Sequence, residues 1–467
     1  MTSNLRHLKM RSAASVAILV SLLCAASMRT NAAETLPQSL SDEAFRKLIS
    51  TLSEPGGNFQ SENLLSNETD FPHVMETLKD TVPPGGVYLG VGPEQNFNYI
   101  AAIQPRMAFI IDIRRQNMIE QFIYKALFEL AADRPAFLER LFSRKQPPGL
   151  KSGSTAAELF DAYTEVTADA TLFKKNLQEV ENRLIEVHRL ELTSEDLEAL
   201  RNVYAAFRDF GPLINYNSRG GGFGNGRYMP SYAELMTSTD TSGHEWSYLG
   251  SEQSYRFVRD LELRNLIVPL TGDFGGPRAI RAVGQYVKER GALVSAFYTS
   301  NVEGYLFRNG DRSGNPNGGA AKFYRNVSML PLDEHSTFIR WLPGGSNRRT
   351  SETSMQLASI RETLERFDSG QFSSFDLVPA NANGLRRSPP GRFTYLDTRP
   401  GVSSGYGYLH IGSYFLAATA FLMRLFIWRP NGREQIASLR TISFSVLWAV
   451  GGYVLGSGIV ALARLLT

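Results

Sequence analysis

Residues 86–112 read GVYLGVGPEQNFNYIAAIQPRMAFIID, and this stretch decides the fold class. Its first six residues form a short apolar run after a Pro-Gly break, which predicts a buried strand. Turn residues follow at 92–96, and 97–104 can form a helix. A second apolar run at 107–112 ends in an acid and predicts another strand. A strand, a helix and a strand in this order predict a pair of parallel strands.

The same alternation returns in the second half of the chain. We predict a helix at 252–263, a strand at 266–270, a helix from Pro277 to about Arg290 and a strand at 292–298. Strands that alternate with helices indicate a mostly parallel sheet with helices on both faces. The predicted class is therefore α/β.

Other segments surround or interrupt these units. A helix is predicted to begin at Ser41, and 117–144 has the apolar face of one long amphipathic helix. The charged stretch 152–210 predicts a helical insertion, and Phe338–Trp341 predicts an edge strand. Segments rich in Gly, Ser, Pro, Asn or Arg predict loops or linkers at 218–227, 308–320, 343–350 and 379–405.

Both ends of the chain are apolar. Residues 1–33 have a basic start, an apolar run and small residues, as in a secretory signal or an uncleaved anchor. Residues 410–428 and 442–466 are each long enough to cross a bilayer, and a short basic link joins them into a helical hairpin. Because basic segments stay on the cytoplasmic side, we expect a cytoplasmic (inner) membrane location with the main domain outside the cytoplasm. The lipid bilayer is then the first expected partner.

These patterns predict four parts in the chain. They are a signal or anchor at 1–33, an α/β domain at 34–345, a linker and peripheral segment at 346–408, and two transmembrane helices within 409–467.

Composition excludes several classes of protein. The formal net charge of +3 is close to balance, so nothing indicates a nucleic-acid partner. The one cysteine, Cys24, lies in the predicted signal, so the rest of the chain has no thiol nucleophile and no cysteine metal site. The six histidines are scattered without an HExxH pair, and no metal site is predicted.

The candidate site residues follow the predicted strands. Ligands of an open parallel sheet bind outside the carboxyl ends of its strands. The candidate ligand-binding residues there are Gly90, Gly92, Glu94, Asn96 and Asp112, and the candidate catalytic residues are Asp273, Tyr298 and Asn301. Glycine lets a ligand approach the backbone, and an acid about 20 residues further on can take a ribose hydroxyl pair.

An architectural interpretation stands beside this one. A strand, a turn and a helix with glycines occur in many α/β folds, and Gln95 stands where G-x-G-x-x-G has its third glycine. Asp273 can equally cap the helix that starts near Pro277.

Several segments also carry a resemblance. The longest are VYLGVGPEQNFNYIAAIQPRMAFIIDIRRQNMIEQ, YMPSYAELMTSTD and NLIVPLTGDFGGPRAIRAVGQYVKERGALVSAFYTSNVEGYL. Over about residues 40–345 the chain resembles an uncharacterised bacterial family, whose Rossmann-like core is similar to class I S-adenosylmethionine-dependent methyltransferases. This resemblance implies that Gly90 and Gly92 border S-adenosylmethionine, that Asp112 holds its ribose, and that Asp273 lies at the catalytic motif. Tyr88 and Leu89 stand where such enzymes carry an acid.

Two functions from different classes remain open. One is a membrane-tethered, methyltransferase-like enzyme that binds a nucleotide-like small molecule. The alternative is a non-catalytic extracytoplasmic protein with a ligand-binding, sensory or structural envelope role. For the enzyme, we expect Asp112→Asn to weaken adenosine-ligand binding while leaving the melting temperature nearly unchanged.

Overall fold

The computed structural model describes residues 35–59, 61–219, 229–308, 318–341 and 355–372. The predicted signal, the predicted helical hairpin and most of the glycine-rich loop at 218–227 lie outside these residues. Within them, no helix combines the length and the apolar character that a bilayer span requires.

A six-stranded sheet forms the centre of the described chain. Its strands are β1 (Val87–Gly90), β2 (Met107–Asp112), β3 (Ile267–Thr271), β4 (Val294–Ser300), β5 (Thr337–Trp341) and β6 (Met355–Ser359). Their spatial order is β3-β2-β1-β4-β5-β6. The first five strands run parallel, and β6 pairs antiparallel with β5. The predicted α/β class with a mostly parallel sheet is confirmed.

Helices connect the strands and cover the sheet. They are α1 (Asp42–Leu52), α2 (Pro72–Thr81), α3 (Gln95–Ile103), α4 (Arg115–Leu130), α5 (Arg134–Phe142), α6 (Ala156–Thr164), α7 (Ala170–Asn182), α8 (Ser194–Phe210), α9 (Tyr232–Met236), α10 (Glu252–Leu263), α11 (Ala279–Glu289), α12 (Val302–Arg308), α13 (Gly319–Val327) and α14 (Ile360–Asp368). Every residue of β1, β2 and β3 is buried, as expected for parallel strands that are covered on both faces.

The direction of the chain reverses at β1. From this strand the chain moves outward to β2 and β3, and it then returns to place β4 on the other side of β1. Leu89 of β1 therefore lies between Phe109 of β2 and Phe297 of β4. The loops that follow β1 and β4 separate at this point and leave a crevice at the carboxyl ends of the strands.

Local signals explain the first helix. The Ser41 side chain accepts a hydrogen bond from the Ala44 amide at 3.2 Å, and so caps α1 as predicted. Phe45 and Leu52 of this helix are buried against the core. The predicted insertion is also helical, since it contains α6, α7, one π-helical turn at Arg183–Val187 and α8. Of these, α8 packs on α4.

The single long helix predicted at 117–144 is wrong, because two helices occupy this segment. Helix α4 ends at Leu130 and α5 begins at Arg134. The Asp133 carboxylate accepts a hydrogen bond from the Ala136 amide at 2.9 Å, and Pro135 lies in the first turn of α5. An N-cap followed by proline starts a new helix, whatever the continuity of the apolar face.

The prediction of an edge strand at Phe338–Trp341 is also wrong. Strand β5 lies between β4 and β6, and Phe338 pairs with Ala358 of β6. Both β6 and α14 fall in the segment predicted as linker and peripheral, and Phe372 beyond them is 4% exposed within the core. The sequence pattern does not predict β6, because this strand is half-buried over most of its length and so lacks a continuous apolar run.

Candidate functional site

A crevice opens at the carboxyl ends of the strands. Its volume is about 630 Å³. It is lined by residues at or after the ends of β1, β2, β3 and β4, by six residues between Asn58 and Glu68, and by Tyr216 and Trp341. This is the place where the strand order reverses, and ligands of open α/β sheets bind there. A pocket of roughly 300–1,000 Å³ is the usual size for a small-molecule site.

The structure brings five of the predicted residues to this crevice. They are Gly92, Asp112, Asp273, Tyr298 and Asn301. The other three, Gly90, Glu94 and Asn96, are not among its lining residues. The packing and hydrogen bonds around these three residues show that they have structural roles.

Two glycines of the loop after β1 serve different purposes. Gly92 has a φ of +79°, and a Cβ atom there would meet only Asn63 at 4.0 Å. It therefore provides a left-handed turn with open space beside it. A Cβ atom on Gly90 would lie 1.9 Å from Asn96 Oδ1 and 2.8 Å from the Tyr88 ring. Gly90 is required by packing inside the protein.

Asn96 holds the loop after β1 in shape. Its side-chain amide donates to the backbone oxygens of Val91, Gly92 and Pro93 at 3.0, 3.1 and 2.7 Å. Its oxygen accepts from the Tyr88 hydroxyl at 2.9 Å. Both polar atoms of this side chain therefore form hydrogen bonds within the protein, so Asn96 positions the loop after β1.

Glu94 ties the same loop to the segment before α2. Both of its oxygens accept from the Ser66 amide at 3.2 Å. Burial raises the pKa of Glu94 to about 8, so the side chain is mostly neutral near pH 7. Ser66 itself lines the crevice. Glu94 thus supports one wall of the crevice from behind.

Asp112 lies in the crevice but is already paired. The Arg114 side chain donates from Nε to Oδ1 at 3.2 Å and from Nη2 to Oδ2 at 3.0 Å. The Arg114 amide also donates to Oδ1 at 2.8 Å. Another donor group of Arg114 binds the Glu62 backbone oxygen. The ion pair is buried, with side-chain exposures of 7% and 6%. The acid predicted to meet a ligand therefore also anchors the chain at residue 62.

Asp273 is exposed at the mouth of the crevice. Its Oδ1 accepts from the Gly275 amide at 2.9 Å, which shapes the turn after β3. The alternative that Asp273 caps the next helix is wrong, because α11 begins at Ala279 and the Ala279 amide donates to Glu54 at 3.1 Å. Among the described residues, Asp273 forms no ion pair, and Arg114 is the only cation that lines the crevice with it.

A buried acid that the sequence analysis missed lies across the crevice. Glu68 is 2% exposed and lines the crevice. It accepts from the Tyr298 hydroxyl at 2.8 Å and from the Ser300 hydroxyl at 2.5 Å. Burial raises the pKa of Glu68 to about 7, although both hydroxyls favour the charged form. A carboxyl group that titrates near neutral pH in a crevice is a candidate functional group.

The end of β4 is strained where it meets Glu68. Ser300 is not a glycine, yet its φ is +49°. Such left-handed residues are uncommon and cluster at functional sites. Asn301 follows directly, is half-buried and lines the crevice. Ser300 and Glu68 thus line the crevice beside Tyr298 and Asn301, the two residues that the sequence predicted there.

Aromatic rings form much of the remaining wall. Phe59, Tyr216, Phe274, Tyr305 and Trp341 all line the crevice. Phe59 and Tyr305 pack edge to face, with ring centroids 5.4 Å apart. No signal in the local sequence connects these rings, because they come from five separate segments.

The described residues contain no cluster of three or more His, Cys, Asp or Glu side chains that could hold a metal ion. The crevice therefore offers hydrogen-bonding, acidic and aromatic groups. This set is suited to an organic ligand.

Comparison with known families identifies the chain. A family model described as a domain of unknown function (DUF7790) matches residues 64–368, more than half of the chain, so the protein belongs to this family. A search of curated proteins finds no match.

Proposed function

We propose that this protein is a Rossmann-like, small-molecule-binding protein whose crevice takes an adenosine-containing ligand, with S-adenosylmethionine as the first candidate. The observation that carries the proposal is the position of the crevice. It lies at the reversal of strand order, between the loops after β1 and β4, and it joins Gly92, Asp112 and Asp273. Nucleotide-type ligands bind at this place in doubly wound sheets.

The residues present fit such a ligand in size and in donor set. The volume of about 630 Å³ suits a molecule of this size. Gly92 leaves open space beside the backbone, where a ligand can approach closely. Asp112 can accept a hydrogen bond from one ribose hydroxyl rather than from a pair of hydroxyls. Arg114 uses both lone-pair positions of Oδ1 and one of Oδ2, which leaves one position for a hydroxyl donor.

The enzymatic form of the proposal is a methyltransferase-like activity. When bound, S-adenosylmethionine supplies a methyl group on a sulfonium centre. The exposed Asp273 carboxylate and Asn301 would bind and orient the acceptor at the mouth of the crevice. Tyr298 donates its hydroxyl hydrogen to Glu68, so it acts by holding Glu68 in place.

A second candidate function is non-catalytic binding by an extracytoplasmic sensory or envelope protein. One observation favours it. Gly90, Glu94 and Asn96, which the resemblance and the motif direct at a cofactor, serve internal packing and hydrogen bonding. Measured turnover separates the two functions, because both place a ligand in the same crevice.

The test of ligand binding is calorimetry of the full chain with S-adenosylmethionine, S-adenosylhomocysteine and a nicotinamide dinucleotide. Asn301→Phe places a large side chain in the crevice and should abolish binding. Gln285→Phe on the exposed face of α11 is the matched control and should bind as the wild type does. Absence of heat with all three ligands would exclude the adenosine pocket. Binding that survives Asn301→Phe would place the ligand elsewhere.

We also propose that the protein is tethered to the inner membrane with its α/β domain outside the cytoplasm. The support is the basic start of the chain and the two apolar stretches at 410–428 and 442–466. Protease added to spheroplasts should degrade the domain. Protection until the cells are lysed would reverse the orientation and favour a cytoplasmic supply of S-adenosylmethionine.

A further inference from the structure

We propose that the crevice selects a ligand with a positively charged onium group, an alkylated ammonium or a sulfonium, and that the Glu68 carboxylate is its counter-charge. This inference rests on the proposed function in one respect, since it places the ligand in the same crevice. It adds the charge of the ligand and the residue that recognises it.

The charges that line the crevice are unbalanced. Among its described lining residues the acids are Glu68, Asp112 and Asp273, and the only cation is Arg114. Arg114 is committed to Asp112 by a buried ion pair. The described lining residues supply no further cation for the two remaining acids. A ligand that brings a positive charge completes this set.

Glu68 carries the larger part of the argument. It is buried, and among the described residues only hydroxyl groups, those of Tyr298 and Ser300, donate to its carboxylate. A buried carboxylate without a cation is costly, and a cation brought to it regains that cost. The two hydroxyls hold both oxygens in a defined orientation, so the acid is preorganised for a partner that arrives through the crevice.

The aromatic wall is a second and independent observation. Phe59, Tyr216, Phe274, Tyr305 and Trp341 supply ring surface around the same space. Aromatic rings attract cations through the negative faces of their π-systems, and aromatic pockets recognise quaternary ammonium groups in this way. An alkylated onium is weakly hydrated and apolar at its rim, so it suits rings and a carboxylate together.

The groups that face Glu68 predict how binding depends on pH. They are the hydroxyls of Tyr88 from β1, Tyr99 from α3 and Tyr298 from β4, and the carboxyl groups of Asp70 and Glu94. Burial raises the pKa of the three tyrosines well above their ordinary range, so they stay neutral. Burial likewise raises the Glu94 pKa to about 8. Glu68, with a pKa of about 7, therefore ionises before Glu94 as the pH rises.

The experiment compares two ligands that differ in charge at one atom. S-adenosylmethionine has a sulfonium where S-adenosylhomocysteine has an uncharged thioether. From about pH 6 to about pH 8, the affinity of the full chain for the sulfonium should rise about tenfold, because the ionised fraction of Glu68 rises by that factor. Affinity for the thioether should change much less. Glu68→Gln should remove the rise, while Glu76→Gln on the exposed face of α2 should keep it.

A second ligand pair separates this inference from the adenosine proposal. Choline is compared with its uncharged carbon isostere, in which a tert-butyl group replaces the trimethylammonium group. A Glu68-dependent preference for choline, without binding of either adenosine ligand, would retain the onium inference and remove the adenosine pocket. Equal binding of the two adenosine ligands in wild type and Glu68→Gln would retain the pocket and overturn the onium inference. Absence of any preference for the cation in both pairs would overturn it as well.

Glu68→Gln must be folded for these comparisons. Glutamine keeps one oxygen that can accept from Tyr298 or Ser300, and circular dichroism would verify the fold. If the variant unfolds, proton release still tests the inference in the wild type. Cation binding near pH 7 should release protons from Glu68, and calorimetry in buffers of different ionisation enthalpy measures them. Binding of the sulfonium without proton release would contradict the role of Glu68.

Discussion

The guanidinium of Arg114 binds the carboxylate of Asp112, which lies two residues earlier in the chain, with an Nη2–Oδ2 distance of 3.0 Å. The pair is buried, and Arg114 also donates to the Glu62 backbone oxygen. The strand-end acid therefore fastens the segment before α2 to the end of β2. Asp112, which we expected to bind a ligand, is thus already bound to Arg114 within the protein.

The first prediction is that Asp112→Asn destabilises the protein. Removing one charge leaves Arg114 buried without a counter-ion, which costs about 3–5 kcal/mol of unfolding free energy. This replaces the expectation of an unchanged melting temperature, which the sequence alone suggested. Urea unfolding of the variant measures the loss. Asp273→Asn, exposed in the same crevice, is the control and should change stability by less than about 0.5 kcal/mol. Equal stability of the two variants would contradict the prediction.

The second prediction concerns Gly90. Its alanine variant places a Cβ atom 1.9 Å from Asn96 Oδ1, so the side chain that holds the loop after β1 must move. We expect a loss of about 1–3 kcal/mol from overpacking. Gly153→Ala is the matched control, because nothing lies within 4 Å of its new Cβ atom. Thermal unfolding compares the two. Similar melting temperatures would mean that Gly90 has no packing role.

The third prediction is a pH dependence that comes from Glu94. Burial raises its pKa in the folded protein to about 8, while the unfolded chain has an ordinary value near 4.5. Between these values the folded state binds the extra proton, so its stability is complete below the unfolded pKa and falls as the pH rises towards 8. Glu94→Gln keeps the acceptor for Ser66 and cannot ionise.

The measurement for Glu94 is the unfolding free energy from about pH 5 to about pH 8. The wild type should lose stability relative to Glu94→Gln by up to about 1.4 kcal/mol per pH unit. Glu76→Gln, exposed on α2, should follow the wild type at every pH. A constant difference between wild type and Glu94→Gln would show that Glu94 does not titrate in this range.

The fourth prediction concerns the attachment of α1. His188 bonds Asp42 of α1 through Nδ1 at 2.7 Å and Glu129 of α4 through Nε2 at 2.8 Å. Burial raises the Glu129 pKa, but the His188 hydrogen bond and the Lys125 charge outweigh it and lower that pKa to about 2. Glu129 is thus a charged anchor at neutral pH.

Replacing the histidine should loosen α1 locally. His188→Leu removes two hydrogen bonds to charged groups, each worth about 1.5–3 kcal/mol, so amide exchange in residues 42–52 should accelerate at least about tenfold. Hydrogen-exchange mass spectrometry measures this change. His73→Leu, exposed on α2, is the control and should leave the exchange of α1 as it is. Unchanged exchange in His188→Leu would show that other contacts attach the helix.

The fold was predictable for most segments that carry their own pattern, although the apolar face at 117–144 belongs to two helices rather than one. Helix α10 lies at the predicted residues, and β3 and β4 lie within one or two residues of their predicted positions. Apolar runs and helical periodicity depend on burial of neighbouring residues, which the sequence records directly. Strand β6 has no apolar run or periodic pattern of its own, because it depends on pairing with the edge of β5.

The candidate site was predictable only in part. Gly92, Asp112 and Asp273 follow strands, and the ends of parallel strands meet at one edge of a sheet, so their grouping follows from topology. Glu68 lies in a segment without periodicity, far in sequence from Tyr298 and Ser300. The sequence around Glu68 does not predict its hydroxyl partners, its burial or its raised pKa.

The sequence by itself determined the α/β class, the positions of the central strands and the edge of the sheet where the candidate site lies. Only the tertiary structure decided what each acid does there. Asp112 meets Arg114, Asp273 stays exposed, and Glu68 is buried with two hydroxyls. The physical reason is that strand and helix patterns come from local backbone and burial preferences. The charge state and the partners of a carboxyl group depend instead on desolvation and on groups that distant segments bring to it.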